Sequence, residues 1–276
     1  MKQETMKLLI PMDGSPTAEA VLPALLPLIR AHRIESTLLQ VLRSPEEQEE
    51  AAARLEALKG SLEARGVTPR IHTLCGTPAE QIVATAEHGG FDLIAMGTHG
   101  RTGLDRVVMG SVAEEVVRTS RVPVLLARPG VRIDGWETIV VALDGSPGAE
   151  EVLGDVARLA RAVGAQVHLV RVNLSLVMVN CYRGVTFDSA KADTTSYLNG
   201  VAEQLRVQGI EVTTENFEGR PGVEIPLAAR SLDAGLICMT THGRPESIPG
   251  LGRSVAFDVI RSAPCPVYVR HIAGPS

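Results

Sequence analysis

Fifteen residues near the start of the chain, LLIPMDGSPTAEAVL (Leu8–Leu22), return as IVVALDGSPGAEEVL (Ile139–Leu153), and no other feature restricts the fold as much. The pairing sets Asp13-Gly14-Ser15-Pro16 over Asp144-Gly145-Ser146-Pro147, 131 positions apart. Further on, CGTPAEQI returns as EGRPGVEI, and AMGTHGR as CMTTHGR, so His99 pairs with His242 at an offset of 143. The second copy therefore carries an insertion of 12 residues in its middle, placed at Asn173 to Ala192. VPVLLARPG and CPVYVRHIAG close the two copies. A repeat of this length is a folding unit, and the turn residues Pro129-Gly130 and Asp134-Gly135 mark the joint. Two domains are expected, at 1–130 and 135–276.

Within each copy, short apolar runs alternate with helical patterns. In the first, strands are expected at Lys7–Pro11, Ser36–Leu42, Val67–Leu74, Phe91–Met96 and Val122–Ala127. Between them, Ser15-Pro16 has the form of a helix cap followed by proline at the first helical position, with Pro23 and Pro27 set to kink or break that helix. Glu46–Arg65 reads as a helix closed by Gly66, Thr77-Pro78-Ala79-Glu80 as a capping box, and Ser111–Thr119 as the last helix. The second copy has the same plan, with an uninterrupted helix from Ser146-Pro147 toward Val163. Continuous apolar strands joined by helices imply parallel sheets covered on both faces. The fold class is α/β, two tandem doubly wound five-stranded parallel-sheet domains of Rossmann-like form. Ligands of such sheets bind beyond the carboxyl ends of the strands, where strand order reverses.

Composition narrows the partners. The net charge of −5 and the absence of basic clusters leave no electrostatic footprint for nucleic acid. No apolar run reaches membrane-spanning length and the N-terminus lacks signal-peptide zones, so a cytoplasmic protein without membrane contact is expected. Cys75, Cys181, Cys238 and Cys265 are isolated, as reduced thiols would be, and no metal site is expected from them.

The chemistry concentrates in MGTHGRTGLDRVVMGS, Met96–Ser111. An apolar strand ends, glycines come next at Gly97, Gly100, Gly103 and Gly110, and Ser111 opens a helix. A strand, a glycine-rich loop and a helix start present backbone N–H groups to a phosphate. Ser111 with Glu114 also forms S-x-x-E, a capping box, and the serine is read as serving both roles.

The spacing Gly97-x-x-Gly100, nine residues, then Gly110-Ser111, together with the turn Pro11-Met12-Asp13-Gly14-Ser15, resembles the ATP-binding universal stress proteins, whose members include tandem two-domain chains. The resemblance covers nearly the whole chain. It implies an adenine nucleotide α-hydrolase-like fold and ATP as ligand, with magnesium. By the resemblance, Asp13 meets the nucleoside, the backbone of Val41 recognises adenine, and Gly97, Gly100, Gly110, Ser111 and Val112 wrap ribose and phosphates. Pro11, in the matched turn, is counted with the site, Met96 serves as core or adenine-edge packing, and Arg101 or Arg106 pairs with outer phosphates. It also implies that the two domains pair through their last strands, with a homodimer as a further possibility.

The second copy departs from this pattern. Thr240 stands at the place of Gly97 and Arg253 at that of Gly110, while Gly243 keeps its position. A single ATP site in the first domain is expected, beside a second domain with a degenerate loop. No G-x-x-x-x-G-K-[ST] and no kinase-type Asp and Asn pair accompany the loop. A regulatory, stress-response role through nucleotide-dependent partner contacts is favoured, with slow or no hydrolysis and no catalytic residue assigned. A slow nucleotide hydrolase and an ATP-independent interaction module remain alternatives.

Overall fold

The computed structural model describes residues 5–31, 33–64, 66–98, 109–131, 135–173, 187–242 and 254–272. The chain divides into two compact units, Met1–Val131 with Tyr268–Ser276, and Arg132–Val267.

In the first unit the strands are β1 (Thr5–Pro11), β2 (Arg33–Leu42), β3 (Arg70–Cys75), β4 (Leu93–Gly97) and β5 (Val124–Ala127), in the order β3-β2-β1-β4-β5. All four pairings are parallel. Leu9, Leu38, Ile94 and Leu125 have no exposed surface, and every residue of β4 and β5 is buried, as strands covered on both faces must be. The chain steps outward from β1 through β2 to β3, then returns to β4 on the other flank of β1. The carboxyl ends of β1, β2 and β4 therefore enclose the crevice at the reversal of strand order.

The connecting helices are α1 (Leu26–Ala31), α2 (Gln48–Glu63), α3 (Pro78–His88) and α4 (Ser111–Thr119). The prolines after β1 break the first helix as expected: the segment runs through 3-10 turns at Ala18–Val21 and Pro23–Leu25 before α1 begins. Two capping expectations are corrected. Thr77 sits at the N-cap of α3, with Pro78 in the first turn, yet its side chain makes no capping bond. The N-cap of α4 is Gly110, not Ser111, because extended backbone at Gly110 (φ −63°, ψ 144°) starts the helix one residue earlier. Ser111 occupies the first helical position instead.

The second unit holds β6 (Thr138–Ala142), β7 (Gln166–Asn173), β8 (Val212–Glu218) and β9 (Leu236–Thr241), ordered β9-β6-β7-β8 and parallel throughout. Beside β9, the N–H of Ile237 donates to the Pro266 carbonyl (3.0 Å) where β10 (Val267–His271) begins. Its helices are α5 (Pro147–Glu150), α6 (Leu153–Val163), α7 (Phe187–Arg206), α8 (Pro221–Ser231) and α9 (Val255–Ser262). Ser146 does cap α5, accepting from Ala149 N–H. The helix is nevertheless interrupted, contrary to expectation: Glu151 N–H bonds back to Gly148 with 3-10 spacing before α6 starts, and Gly148 in the first turn weakens the α geometry. Of the insertion expected at Asn173 to Ala192, the part at 174–186 lies outside the described residues.

Candidate functional site

Beyond Pro11, β1 hands over to a turn that is tied to itself. Met12 N–H donates to the Leu39 carbonyl (2.7 Å), keeping the exit from β1 against β2. Gly14 then takes φ 78°, the left-handed conformation that an Asp-Gly turn requires and that side chains resist. Asp13 Oδ1 accepts from the N–H of Ser15 (2.9 Å) and from its hydroxyl (2.6 Å). The same hydroxyl oxygen accepts from Ala18 N–H (3.1 Å) and lies 2.8 Å from Thr17 Oγ1. Asp13 is thereby held in one orientation before any ligand arrives.

Opposite that turn, the chain leaves β4 at Thr98 and re-enters at Gly110. Thr98 N–H donates to Ala127 and Gly110 N–H donates to Thr98 (2.8 Å), so one hydrogen bond pins the two ends of the intervening loop together. The first helical bond of α4 is Glu114 N–H to Gly110 (2.9 Å). The N–H groups of Ser111, Val112 and Ala113 precede it and have no acceptor within the helix. All three residues border the crevice, so the positive end of α4 opens onto it.

The enclosed volume is about 280 Å³. Of the residues expected from sequence, Pro11, Asp13, Val41, Met96, Gly97, Gly110, Ser111 and Val112 line it together. Gly100, Arg101 and Arg106 lie outside the described residues. The cleft also has walls that sequence reasoning missed: Arg43 and Glu47 just past β2, Pro78 and Ile82 of α3, and Thr98. The signal was available for Arg43, which lies just after Val41 at a carboxyl strand end. Arg43 N–H donates to Glu47 Oε2 (3.3 Å), which ties the two residues of that corner together.

Gly97 has a packing reason that the glycine spacing did not reveal. Neither it nor Gly110 adopts positive φ. A Cβ on Gly97 would lie 2.4 Å from the Thr17 carbonyl oxygen and 3.0 Å from Ala18 Cα. The glycine allows the Asp13 turn to close directly onto β4, and only then is the crevice as deep as it is. In the second unit the corresponding cleft, lined by Asp144, Val172, Met239, Thr240 and Ser254 among others, encloses about 110 Å³, less than half as much. Thr240 supplies there the side chain that Gly97 lacks. Among the described residues, no group of three His, Cys, Asp or Glu side chains is placed to hold a metal ion, and no helix is long and apolar enough to cross a membrane.

Comparison with known proteins agrees with this duplicated architecture. Universal stress protein MJ0531 of Methanocaldococcus jannaschii is 43% identical over 81 residues, 29% of this chain and 48% of that protein. Universal stress protein YxiE of Bacillus subtilis is 28% identical over 145 residues, 44% of this chain and 98% of that one. The chain spans about half the length of the first of these relatives. A universal stress protein crystal structure from Archaeoglobus fulgidus matches the fold at a TM-score of 0.75 and 23% identity, covering 97% of this chain and 96% of the other. The model of the universal stress protein family matches twice, at residues 4–128 and 135–271, and the chain belongs to that family.

Proposed function

We propose that the first repeat binds ATP and that the nucleotide state governs contacts with other proteins in a stress response. The observation that carries this reading is the meeting of two features across one crevice. The unsatisfied N–H groups opening α4 face a carboxylate, Asp13, that Ser15 already holds in place. Phosphates are suited to the first by charge and hydrogen-bond direction, and a ribose hydroxyl is suited to donate to the second. Each favourable anionic contact with the helix end contributes about 0.3–1 kcal/mol. Leu39, Val41, Met96 and Ile82 give the remaining wall an apolar character fit for a base. Magnesium would accompany the phosphates. The described residues of the cleft include no histidine or cysteine, and its carboxylates, Asp13 and Glu47, both already accept hydrogen bonds. Slow or absent turnover is part of the proposal, since no phosphoryl-transfer motif accompanies the loop. The second repeat, with Thr240 in a smaller cleft, takes no triphosphate.

One observation favours a second reading, a nucleotide-independent interaction module: Gly97 is explained by packing against Thr17 and Ala18 without any ligand. Denaturing the purified protein and identifying the small molecules it releases separates the two. ATP near one equivalent per chain supports the proposal. No nucleotide, even after incubation with Mg-ATP, supports the module, and accumulation of ADP or AMP identifies a hydrolase.

A further inference from the structure

On the opposite face of the first sheet, beneath α2, a separate cavity of about 380 Å³ is bordered by Gly14, Glu19, Gln40, Arg54, Leu55 and Leu58. The two repeats align in register here. Pro11 pairs with Leu39 in β1–β2 and Ala142 with Val170 in β6–β7, so Gln40 corresponds to Arg171. At the same offset, Gly14 corresponds to Gly145 and Glu19 to Glu150. Across the insertion, Arg54 of α2 corresponds to Tyr197 of α7, and the buried Leu55 to the buried Leu198.

The second repeat fills this place with its own side chain. The Arg171 guanidinium lies 5.4 Å from the centre of the Tyr197 ring and packs so closely on Gly145 that a Cβ there would be 2.8 Å from its central carbon. Burial, and then the carboxylates of Glu150 and Asp144, push the Tyr197 phenol upward, with Arg171 opposing them. Those two acids and the cation therefore act on the same phenol. In the first repeat the equivalent position carries a neutral amide, Gln40, 2% exposed and with Oε1 unpartnered. Arg54 is already occupied by Glu50, its ion-pair partner, and Glu19, the counterpart of Glu150 in sequence, lines the cavity.

We propose that this cavity is a second small-molecule site, which takes a ligand bearing a guanidinium group where the second repeat has placed Arg171. The Glu19 carboxylate and the Gln40 carbonyl oxygen accept from the ligand's N–H edge, and Gly14 leaves room for its flat face. Met12 and Gln40 border both this cavity and the nucleotide cleft, so the test reads methylguanidine itself and not ATP.

The test is titration of the ¹⁵N-labelled full chain with methylguanidine, read from the amide resonances of Gly14, Gln40 and Leu55. One saturable site with a Kd on the order of 1 mM is expected, the range open to a ligand of so few atoms. Urea, equally flat but neutral, leaves the spectrum unchanged at the same concentration. Glu19→Gln, an exposed change, weakens methylguanidine about tenfold, the loss of roughly one charged hydrogen bond. Gln40→Arg, copying Arg171, removes binding altogether, with a thermal melt to show that the variant folds. Shifts that never saturate, urea binding as well as methylguanidine, or indifference to Glu19→Gln would each overturn the proposal and leave a water-filled void.

Discussion

Replacing Gly97 with threonine reproduces in the first repeat what Thr240 does in the second, and the structure sets the size of the effect. The new Cβ would begin 2.4 Å from the Thr17 carbonyl oxygen and 3.2 Å from its carbonyl carbon. Ordinary contact begins near 3.4–3.5 Å, so the Thr17–Ala18 backbone must retreat by about 1 Å. Backbone, unlike the tip of a long side chain, does not yield cheaply, and overpacking of this kind costs about 1–3 kcal/mol. For a unit of this size that lowers Tm by roughly 3–10 °C. The retreating turn carries Ser15, whose N–H and hydroxyl orient Asp13. Losing the Asp13 contact to a ligand removes about 1.5–3 kcal/mol, or about tenfold to a hundredfold in ATP affinity. Isothermal titration with Mg-ATP beside a thermal melt reads both. An ATP Kd within about twofold of the parent, with Tm unchanged, would show that the close approach at Gly97 does not shape the cleft.

Gly110 separates backbone from bulk: at φ −63° and ψ 144° alanine fits, so Gly110→Ala should cost ATP less than about fivefold, whereas Gly110→Arg, copying Arg253, should abolish measurable binding in the same titration. Ser15→Ala removes the hydroxyl that joins Asp13, Thr17 and Ala18, and should cost about 1–2 kcal/mol of stability by denaturant unfolding, with weakened ATP. Among Cys75, Cys238 and Cys265, only exposed Cys75 should react with a thiol reagent in the native protein. Burial pushes the Cys265 thiol up to about 12, so its contribution to stability is present below the ordinary thiol range and is lost as pH rises from about 9 toward 12. Cys265→Ala should lessen the fall of the unfolding free energy over that window, leaving the part that burial of the Cys238 thiol contributes. An unchanged alkaline slope would contradict the assignment.

The sequence carried the parts of this fold that repeat. Asp13 and Asp144 matched because both close a turn at the end of a first strand, and the parallel register beyond that turn is the same in both units. Boundaries that depend on one residue's backbone were not legible. Ser111 with Glu114 has every mark of a capping box, but extended Gly110 takes the cap, and only coordinates show which of two adjacent residues wins. The break after Glu150 was equally hidden, since a single glycine in an otherwise helical pattern seldom decides the matter. Glycine spacing singled out the loop but not the packing reason for Gly97, because its contact with Thr17 joins residues eighty positions apart. Arg43 and Glu47 reach the cleft through a corner that no motif covers.

The central claim is that this duplicated fold keeps one triphosphate site. Equilibrium titration of the nucleotide-free full chain with Mg-ATP counts it directly. Saturation at one ATP per chain is expected, lost in the Gly110→Arg variant. Saturation at two would show that Thr240 and the smaller cleft do not exclude phosphates, and no saturation would show that the loop between β4 and α4 is a turn without a ligand.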